Sequence, residues 1–308
     1  MDTRGRKKIR GSVILIVKKL VKTIDQRSIL KDIELALSDN EIVGLVGRNG
    51  SGKTTLLRIL AGHFLPDSGD ILIDEKSVFE HPAVKQDIFF IDEKENFLRT
   101  YSIQKIARFY QLAYPKFDQS LFLDFIEQYE FVLNQNYRQL SKGQQALFQI
   151  ILAICSNAQY LLFDEPFDGL DVIVKKEVIG LLMDHLGVRS RTALIASHNL
   201  SELENLVERV LLLKDQTIIK DYCLEDMREN AKKLQLVFKT KKVPAVVKDY
   251  SKMLDFQGRV VTVVFEDFSE ELETAIKEFE PLVYEELPLS LEDLFEANLK
   301  QHRKGILK

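Results

Sequence analysis

A glycine-rich stretch near residue 50 has the residue types and the spacing of a phosphate-binding loop. The stretch GRNGSGKTT fits the pattern G-x-x-x-x-G-K-[ST] in full. Glycines let the backbone wrap closely around phosphates, and the N-terminus of a following helix favours negative charge. Lys53 adds a mobile cation for the β- and γ-phosphates, and Thr54 offers a hydroxyl to Mg²⁺. We therefore expect nucleotide contacts from Gly47, Arg48, Asn49, Gly50, Ser51, Gly52, Lys53, Thr54 and Thr55.

A second stretch, YLLFDEP, places two acids at the end of an apolar run. The apolar residues predict a buried parallel strand, and open α/β sheets bind ligands outside the carboxyl ends of their strands. Asp164 could hold a metal ion through water, as the acidic second ligand of phosphoryl-transfer sites does. Glu165 faces otherwise and could polarise a water for in-line attack on the γ-phosphate. A strand-end acid can also cap a turn, but the complete phosphate loop upstream favours the catalytic interpretation.

Alternating strand and helix patterns must position these two motifs. The run EIVGLVG predicts a strand before the phosphate loop, and TTLLRILAG behind it predicts a helix that ends at Gly62. The runs ILID, YLLFD and TALIAS predict further strands, KKEVIGLLMDHL a helix, and RVLLLKDQTIIKD a hairpin. This alternation is typical of an α/β fold with a largely parallel sheet.

Two regions depart from the alternation. Between Phe97 and Leu140 the sequence is helical in pattern and rich in Phe and Tyr, which predicts a helical insertion. After about residue 224, strand patterns and two helical patterns follow, the last one opened by Ser290 and Asp293 at capping-box spacing. We therefore predict an ATPase-type domain over residues 1–223, with a helical subdomain at about 97–157, and a small α+β domain over 224–308.

Composition restricts the class of protein. The chain has 308 residues, of which 45% are hydrophobic and 29% charged, close to ordinary globular usage. Its net charge of −4 gives no electrostatic reason to expect nucleic acid as a partner. The two cysteines, Cys155 and Cys223, make no disulfide framework, so we expect free thiols in a reducing compartment.

The N-terminal segment indicates neither secretion nor membrane insertion. The apolar run Val13–Val17 is too short for a signal peptide, and lysines follow it instead of a cleavage site. No uninterrupted apolar run reaches about 20 residues, the length that a spanning helix needs. We expect a cytosolic protein whose basic N-terminus is a solvated tail, although that tail could also touch anionic lipid.

The stretch LSKGQQ lies shortly before the acidic strand and contains neither a metal ligand nor a nucleophile beside a base. It becomes interpretable because the chain resembles the ATP-binding subunits of ABC transporters, whose signature loop LSGGQ stands at this place. The resemblance spans about residues 13–221. It implies that this loop covers the γ-phosphate of ATP held by a second subunit, through the signature residues Ser141, Lys142, Gly143 and Gln144.

The same resemblance implies roles for further residues. In FDGLD, Asp171 matches the D-loop and would help to set the partner's site. In ASH, His198 matches the switch histidine, which would position the attacking water together with Glu165. Glu93 stands where the family has the Q-loop glutamine and is a further candidate ligand of Mg²⁺.

Other positions depart from the family pattern. Lys142 stands where the family has a glycine, and is either a tolerated surface lysine or an extra charge near the γ-phosphate. Ala146 occupies a place where the family often has arginine. Ile24 replaces the expected aromatic, so stacking on the nucleotide base is weak or comes from another side chain.

The resemblance implies a P-loop NTPase fold, with an ABC-type ATPase domain, a helical subdomain and the small C-terminal domain. It implies an ATP hydrolase that uses ATP and Mg²⁺ and pairs with a second ATP-binding subunit in a homodimer or heterodimer. It also implies a peripheral protein on the cytoplasmic face of the cell membrane that drives a membrane permease. The stretches AYPKFD, LSKG and DEPFDGLD are most similar to bacterial exporter-type ATPases often encoded beside GntR-type regulators.

Two alternatives remain open at this point. A soluble ABC ATPase of translation or DNA repair would need no permease, but such proteins usually carry two cassettes or a long coiled coil. The sequence has one phosphate loop and no such coiled coil. A nucleotide-binding regulator with little turnover is the other alternative, suggested by Ile24, Lys142 and Glu93.

Overall fold

The computed structural model describes residues 15–92, 97–187, 191–240 and 242–299. These divide into two compact units. The first contains everything described up to Asn199, together with Leu206–Asp221. The second contains Leu200–Asn205 and everything described from Tyr222 onward.

The elements up to the unit boundary alternate strands and helices, except that three consecutive helices precede the acidic strand. In chain order they are β1 (Leu15–Ile24), β2 (Arg27–Leu37), β3 (Ile42–Val46), α1 (Lys53–Leu60), β4 (Ser68–Ile73), β5 (Lys76–Ser77), β6 (Ile88–Ile91), α2 (Ile103–Ala113), α3 (Gln119–Gln128), α4 (Lys142–Ser156), β7 (Tyr160–Asp164), α5 (Val172–Leu186), β8 (Thr192–Ser197), β9 (Arg209–Lys214) and β10 (Thr217–Cys223).

A six-stranded sheet, in the order β10-β9-β3-β8-β7-β6, forms the centre of the first unit. Its neighbouring strands from β9 to β6 pair in parallel, as the alternation predicts. Every residue of β3, β7 and β8 is buried, because layers cover both faces of a parallel sheet. Val46 pairs with Ser197 and Asp164 with Ala196, so the phosphate loop and the acid pair leave the sheet at the same edge.

A four-stranded antiparallel sheet, in the order β2-β1-β4-β5, lies beside it and shares its hydrophobic core. Strands β1 and β2 form a hairpin whose turn residues, Asp25 and Gln26, both have positive φ. The sequence motifs predicted little of this sheet, because β1 interrupts its apolar residues with lysines. The pattern-based prediction was better for β9 and β10, which are joined through Asp215 and Gln216 in a two-residue turn of positive φ.

The region predicted as a helical subdomain, at about residues 97–157, contains α2, α3 and α4. Ser102, Asp118 and Ser141 cap their N-termini, each accepting a hydrogen bond from a backbone N–H in the first turn. Aromatic rings fill the space between these helices, with Phe148 of α4 in contact with Phe122, among others. The apolar face of α4 is buried and contains Leu147, Ile150, Ile151 and Ile154.

The second unit contains α6 (Leu200–Leu203), α7 (Leu224–Asn230), β11 (Lys232–Val237), α8 (Ala245–Tyr250), β12 (Lys252–Gln257), β13 (Val260–Phe265), α9 (Glu270–Lys277), β14 (Val283–Leu287) and α10 (Leu291–Leu299). Its antiparallel sheet has the order β12-β13-β11-β14. A βαββαβ chain path with this order is the ferredoxin-like arrangement. The expected capping box opens α10, since Ser290 N donates to Asp293 Oδ2 and Asp293 N donates to Ser290 Oγ.

The cysteines agree with the expectation of free thiols: Cys155 is buried, Cys223 is exposed, and neither is in a disulfide. Within the described ranges, no helix combines the length and the apolar character needed to cross a bilayer. The N-terminal run Val13–Val17 begins before the first described residue, Leu15, so its first two positions lie outside the described part of the chain.

Candidate functional site

A cleft of about 490 Å³ opens at the carboxyl edge of the central sheet, over the start of α1. The phosphate loop from Asn49 to Thr55 lines one side, and Asp164, Glu165 and His198 line the other. Gly47 and Arg48 are not part of this lining, but they support the loop through their backbone oxygens. Gly47 O accepts a hydrogen bond from Lys53 Nζ, and Arg48 O accepts one from Ser51 N. The structure thus brings together residues from three loops that the motifs predicted separately.

The glycines of the loop meet specific backbone demands. Gly52 has φ +107° and immediately precedes α1, and Gly50 has φ +79°; side-chain-bearing residues rarely adopt either value. A Cβ on Gly47 would lie 2.6 Å from Leu213 O. A Cβ on Gly52 would lie 2.9 Å from Leu30 Cδ2 of β2. The loop can therefore hold this curvature only with glycine at these positions.

Lys53 is held inside the loop. Its Nζ donates to Gly47 O at 2.8 Å and lies 3.3 Å from Glu165 Oε1. The side chain is 6% exposed, so the loop and the Glu165 carboxylate surround most of its length. A buried cation is tolerated when it is paired and hydrogen-bonded, and both conditions are met here.

Thr54 and Asp164 form the contact expected of a metal-binding pair. Thr54 Oγ1 donates to Asp164 Oδ2 at 2.6 Å. Asp164 Oδ1 is buried and has no hydrogen-bond partner among the described residues. Burial raises the pKa of Asp164; the Thr54 hydrogen bond opposes this, while the nearby charges of Glu165 and Asp92 raise the pKa further. An orphaned carboxylate oxygen beside a threonine hydroxyl is an oxygen donor set that suits Mg²⁺.

Glu165 and His198 are in direct contact. His198 Nδ1 lies 2.9 Å from Glu165 Oε2, and the His198 backbone N–H donates to the same oxygen at 3.1 Å. Glu165 has φ +50°, an uncommon value for a residue with a side chain. Its own N–H donates to Ala196 O of β8, which fixes the backbone in this conformation. Strained residues held in this way concentrate at functional sites.

The LSKGQQ stretch forms the start of α4. Ser141 Oγ accepts from Gln144 N at 3.2 Å, and Gln144 Oε1 accepts from Ser141 N at 3.0 Å, which makes a complete capping box. Gln145 Nε2 donates to Leu140 O at 3.0 Å and so fastens the loop to the helix. Ser141 keeps its own hydroxyl proton for another acceptor. Of the described residues that line the phosphate cleft, none comes from this stretch.

Asp171 is not among the residues that line the cleft. Asp171 caps α5, because its Oδ1 accepts from Ile173 N at 3.0 Å and from Val174 N at 3.1 Å. The side chains that follow it, Val172 and Ile173, are 68% and 81% exposed. Glu93 lies outside the described residues.

Ile29 and Asp168 line the phosphate cleft although the motifs did not predict them. The Ile29 backbone oxygen would lie 3.1 Å from a Cβ on Gly52, so β2 packs tightly against the loop. Ile24 is half-buried at the end of β1, and it is Ile29 that reaches the cleft. A sequence signal existed only for Asp168, which follows the acid pair by a few residues.

Comparison with known proteins gives a consistent result. The ABC transporter family matches residues 30–168. The ABC transporter ATP-binding protein YtrB of Bacillus subtilis is 33% identical over 288 residues, covering 94% of this chain and 99% of that protein. The nickel import system ATP-binding protein NikE of Staphylococcus aureus is 28% identical over 209 residues, covering 66% of this chain and 87% of that one.

Solved structures show the same fold. An ATP-binding subunit of an ABC transporter superposes with a TM-score of 0.63 at 22% identity, covering 70% of this chain and 92% of that one. A bacterial Atm1-family ABC exporter with ATP bound gives 0.61 at 19% identity, covering 72% and 40%. The likeness to YtrB extends over nearly the whole of both chains and exceeds 30% identity. The chain therefore belongs to the ABC transporter family as an ATP-binding protein, a class whose members bind ATP and hydrolyse it in transport.

Proposed function

We propose that this chain is the ATP-hydrolysing subunit of an exporter, and that two such subunits close around two ATP molecules to drive a membrane permease. One observation carries the proposal: each chain has a complete phosphate cleft, whereas its signature loop lies outside that cleft. A signature loop that cannot serve its own cleft is free to serve the cleft of a second subunit. The partner is a second copy or a paralogue.

The phosphate cleft supplies nucleotide binding. The N–H groups of the loop and the N-terminus of α1 would hold the phosphates, with Lys53 between the β- and γ-phosphates. Thr54 and Asp164 would hold Mg²⁺, since the unpartnered Asp164 Oδ1 and the Thr54 hydroxyl fit an oxygen-ligated cation. When bound, Mg²⁺ would neutralise charge on the phosphate oxygens. Glu93 stays a proposed further ligand.

Hydrolysis would depend on Glu165 and His198. Glu165 Oε2 already contacts the His198 ring and backbone, so the two side chains can hold one water between them and the γ-phosphate. Glu165 would accept the proton of that water, and His198 would orient it and contact the γ-phosphate. The signature residues Ser141 to Gln144 and the D-loop residue Asp171 would act on the nucleotide of the partner.

A groove of about 450 Å³ beside β6 and α2 suits the permease. Aromatic rings line it, and Phe97 and Phe109 are each 49% exposed although they contact each other at 5.1 Å between ring centroids. Exposed aromatic clusters of this kind mark interaction sites. An apolar cytoplasmic helix of the permease would fit here, which would hold the chain on the cytoplasmic face of the cell membrane.

The direction of transport has two candidates. Similarity to exporter-type ATPases encoded beside GntR-type regulators supports export. The relative named for nickel import favours import as the second candidate. Inside-out vesicles that contain the permease and this chain distinguish them for nickel: ATP-driven release of ⁶³Ni²⁺ from the vesicles would favour import, and ATP-driven uptake into them would favour export.

The central experiment is a Glu165→Gln substitution. This variant should bind ATP but not hydrolyse it, so ATP should shift it from monomer to a stable dimer in sedimentation velocity. Glu177→Gln, the same chemical change at an exposed position of α5, serves as the matched control and should behave like the wild type. Normal ATP turnover by Glu165→Gln would show that Glu165 is not the base.

A further inference from the structure

We propose that Lys142 is a positioning residue that acts within its own chain, on the loop from Glu165 to Asp171. The proposal rests on the function given above and adds a residue to it. Family members have glycine at this position, so the contact would be a property of chains with lysine in the signature loop. It differs from both interpretations that the sequence left open for Lys142, namely a tolerated surface lysine and an extra charge near the γ-phosphate of the partner.

The first turns of α4 and α5 lie side by side, which brings Lys142 to the loop. A Cβ on Gly143 would lie 2.7 Å from Val174 Cγ1, so the backbone of the signature loop touches α5. The capping box of Ser141 fixes the N-terminus of α4, and the Asp171 cap fixes the N-terminus of α5. Lys142 therefore starts from a rigid base directly beside the end of the loop.

The Lys142 side chain lies along the loop. A Cβ on Gly169 would be 3.2 Å from Lys142 Nζ and 3.9 Å from its Cδ. Gly169 has φ +69°, so the loop turns sharply below the ammonium group. The side chain thus covers the middle of the loop with its stem and its charge.

A second, smaller cleft of about 100 Å³ joins Lys142 to the catalytic acids. Asp164, Glu165 and Asp168 line it together with two cations, Lys142 and Arg99. Three carboxylates in one small cleft repel one another, and a nearby cation relieves that repulsion. Lys53 already pairs with Glu165, and Lys142, which makes no ion pair or hydrogen bond among the described residues, adds a further cation to the lining that these acids share.

The position of the loop matters for catalysis. Glu165 at its start belongs to the chain's own phosphate cleft, and Asp171 at its end faces the partner in the proposed dimer. A lysine that restrains the middle of the loop would hold both ends in place. The expected kinetic effect is on kcat rather than KM, because Lys142 does not line the phosphate cleft of its own chain, whereas the loop that it restrains carries the proposed base Glu165.

Hydrogen exchange of the full chain without nucleotide, at a concentration where it is monomeric, tests the contact. The amides of Asp168 and Leu170 are the reporters, since they donate to Glu165 O and Phe167 O inside the loop. Lys142→Met keeps the stem and removes the charge, and should raise their exchange rates about threefold or more. Lys142→Arg should restore slow exchange, and Lys176→Met on α5 is the matched control.

ATP turnover is measured on the same variants. Lys142→Met should lower kcat about threefold at unchanged KM, and Lys142→Arg should recover it. Unchanged exchange at Asp168 and Leu170 in Lys142→Met would overturn the proposal, whatever its turnover. If the wild-type chain failed to hydrolyse ATP while the exchange difference appeared, the contact would stand and the proposed function would fall.

Discussion

Replacing Asp164 with asparagine should stabilise the protein in the absence of nucleotide. The carboxylate is buried, and its Oδ1 has no hydrogen-bond partner among the described residues. Leaving a buried neutral polar group unsatisfied costs about 1–3 kcal/mol and a charged group costs more, so exchanging the carboxylate for a neutral amide, whose nitrogen is also unpartnered, should recover about 2 kcal/mol. An asparagine keeps an oxygen for the Thr54 hydroxyl and removes the negative charge beside Glu165 and Asp92. A gain of about 2 kcal/mol corresponds to about 4–8 °C in Tm for a unit of this size.

The raised pKa of Asp164 determines how the stability difference between wild type and variant should change with pH. Because the pKa of Asp164 is raised in the folded protein, the folded state favours the protonated carboxyl. The Asp164 carboxyl therefore favours the folded state most at pH values below its ordinary pKa of 3.8. This contribution to stability is lost as the pH rises through the raised pKa of the folded protein. The advantage of Asp164→Asn should thus be full at pH 7 and should shrink as the pH is lowered towards 4.

Differential scanning calorimetry without nucleotide, at several pH values, measures this effect on the first unit. The matched control is Asp124→Asn, the same change at an exposed position of α3, which should alter stability by less than about 0.5 kcal/mol. With Mg²⁺ and ATP added the order should reverse, because the wild type gains ligand stabilisation that the variant lacks. An Asp164→Asn variant no more stable than the wild type at pH 7 would refute the reasoning.

Three further outcomes follow from the contacts described. Ser141→Ala should lose the α4 cap and about 1 kcal/mol in urea unfolding, whereas Ser141→Asn should keep that stability; both variants lack the hydroxyl and should lose the ATP-driven dimer, so dimer formation at the wild-type level by either one would contradict the role of the hydroxyl. Gly52→Ala should weaken ATP binding at least about tenfold by calorimetric titration, since φ +107° and the approach to Leu30 strain the loop; normal affinity would contradict this. Asn298→Ala should destabilise the second unit by about 1–3 kcal/mol and leave ATP affinity unchanged, because it removes hydrogen bonds to Tyr222, Glu266 and Lys252; an unaltered melting profile would be the contrary result.

The sequence predicted the cleft better than the architecture around it. Glycine and lysine at fixed spacing, and acids at the end of an apolar run, are local patterns, so Lys53, Asp164 and Glu165 could be assigned to one site from order alone. The capping box of α10 at Ser290 was predictable for the same reason.

The remainder depends on contacts distant in the chain. Ile29 reaches the cleft only because β2 packs against the loop at Gly52. The direction of the Lys142 side chain depends on how α4 and α5 pack, which periodicity does not encode. Strand β14 is mostly exposed and carries two adjacent glutamates, so its alternation is weak and the ferredoxin-like sheet order could not be derived.

Complementation between two inactive variants tests the shared site most directly. Lys53→Ala should disable a chain's own phosphate cleft, and Ser141→Arg should disable only the cleft of its partner. In a symmetric dimer, mixing the two purified chains gives mixed dimers with one intact site, so ATP turnover should rise to as much as about a quarter of the wild-type value. Turnover of the mixture no higher than the mean of the two separate variants would contradict the account, because each chain would then use its own signature loop.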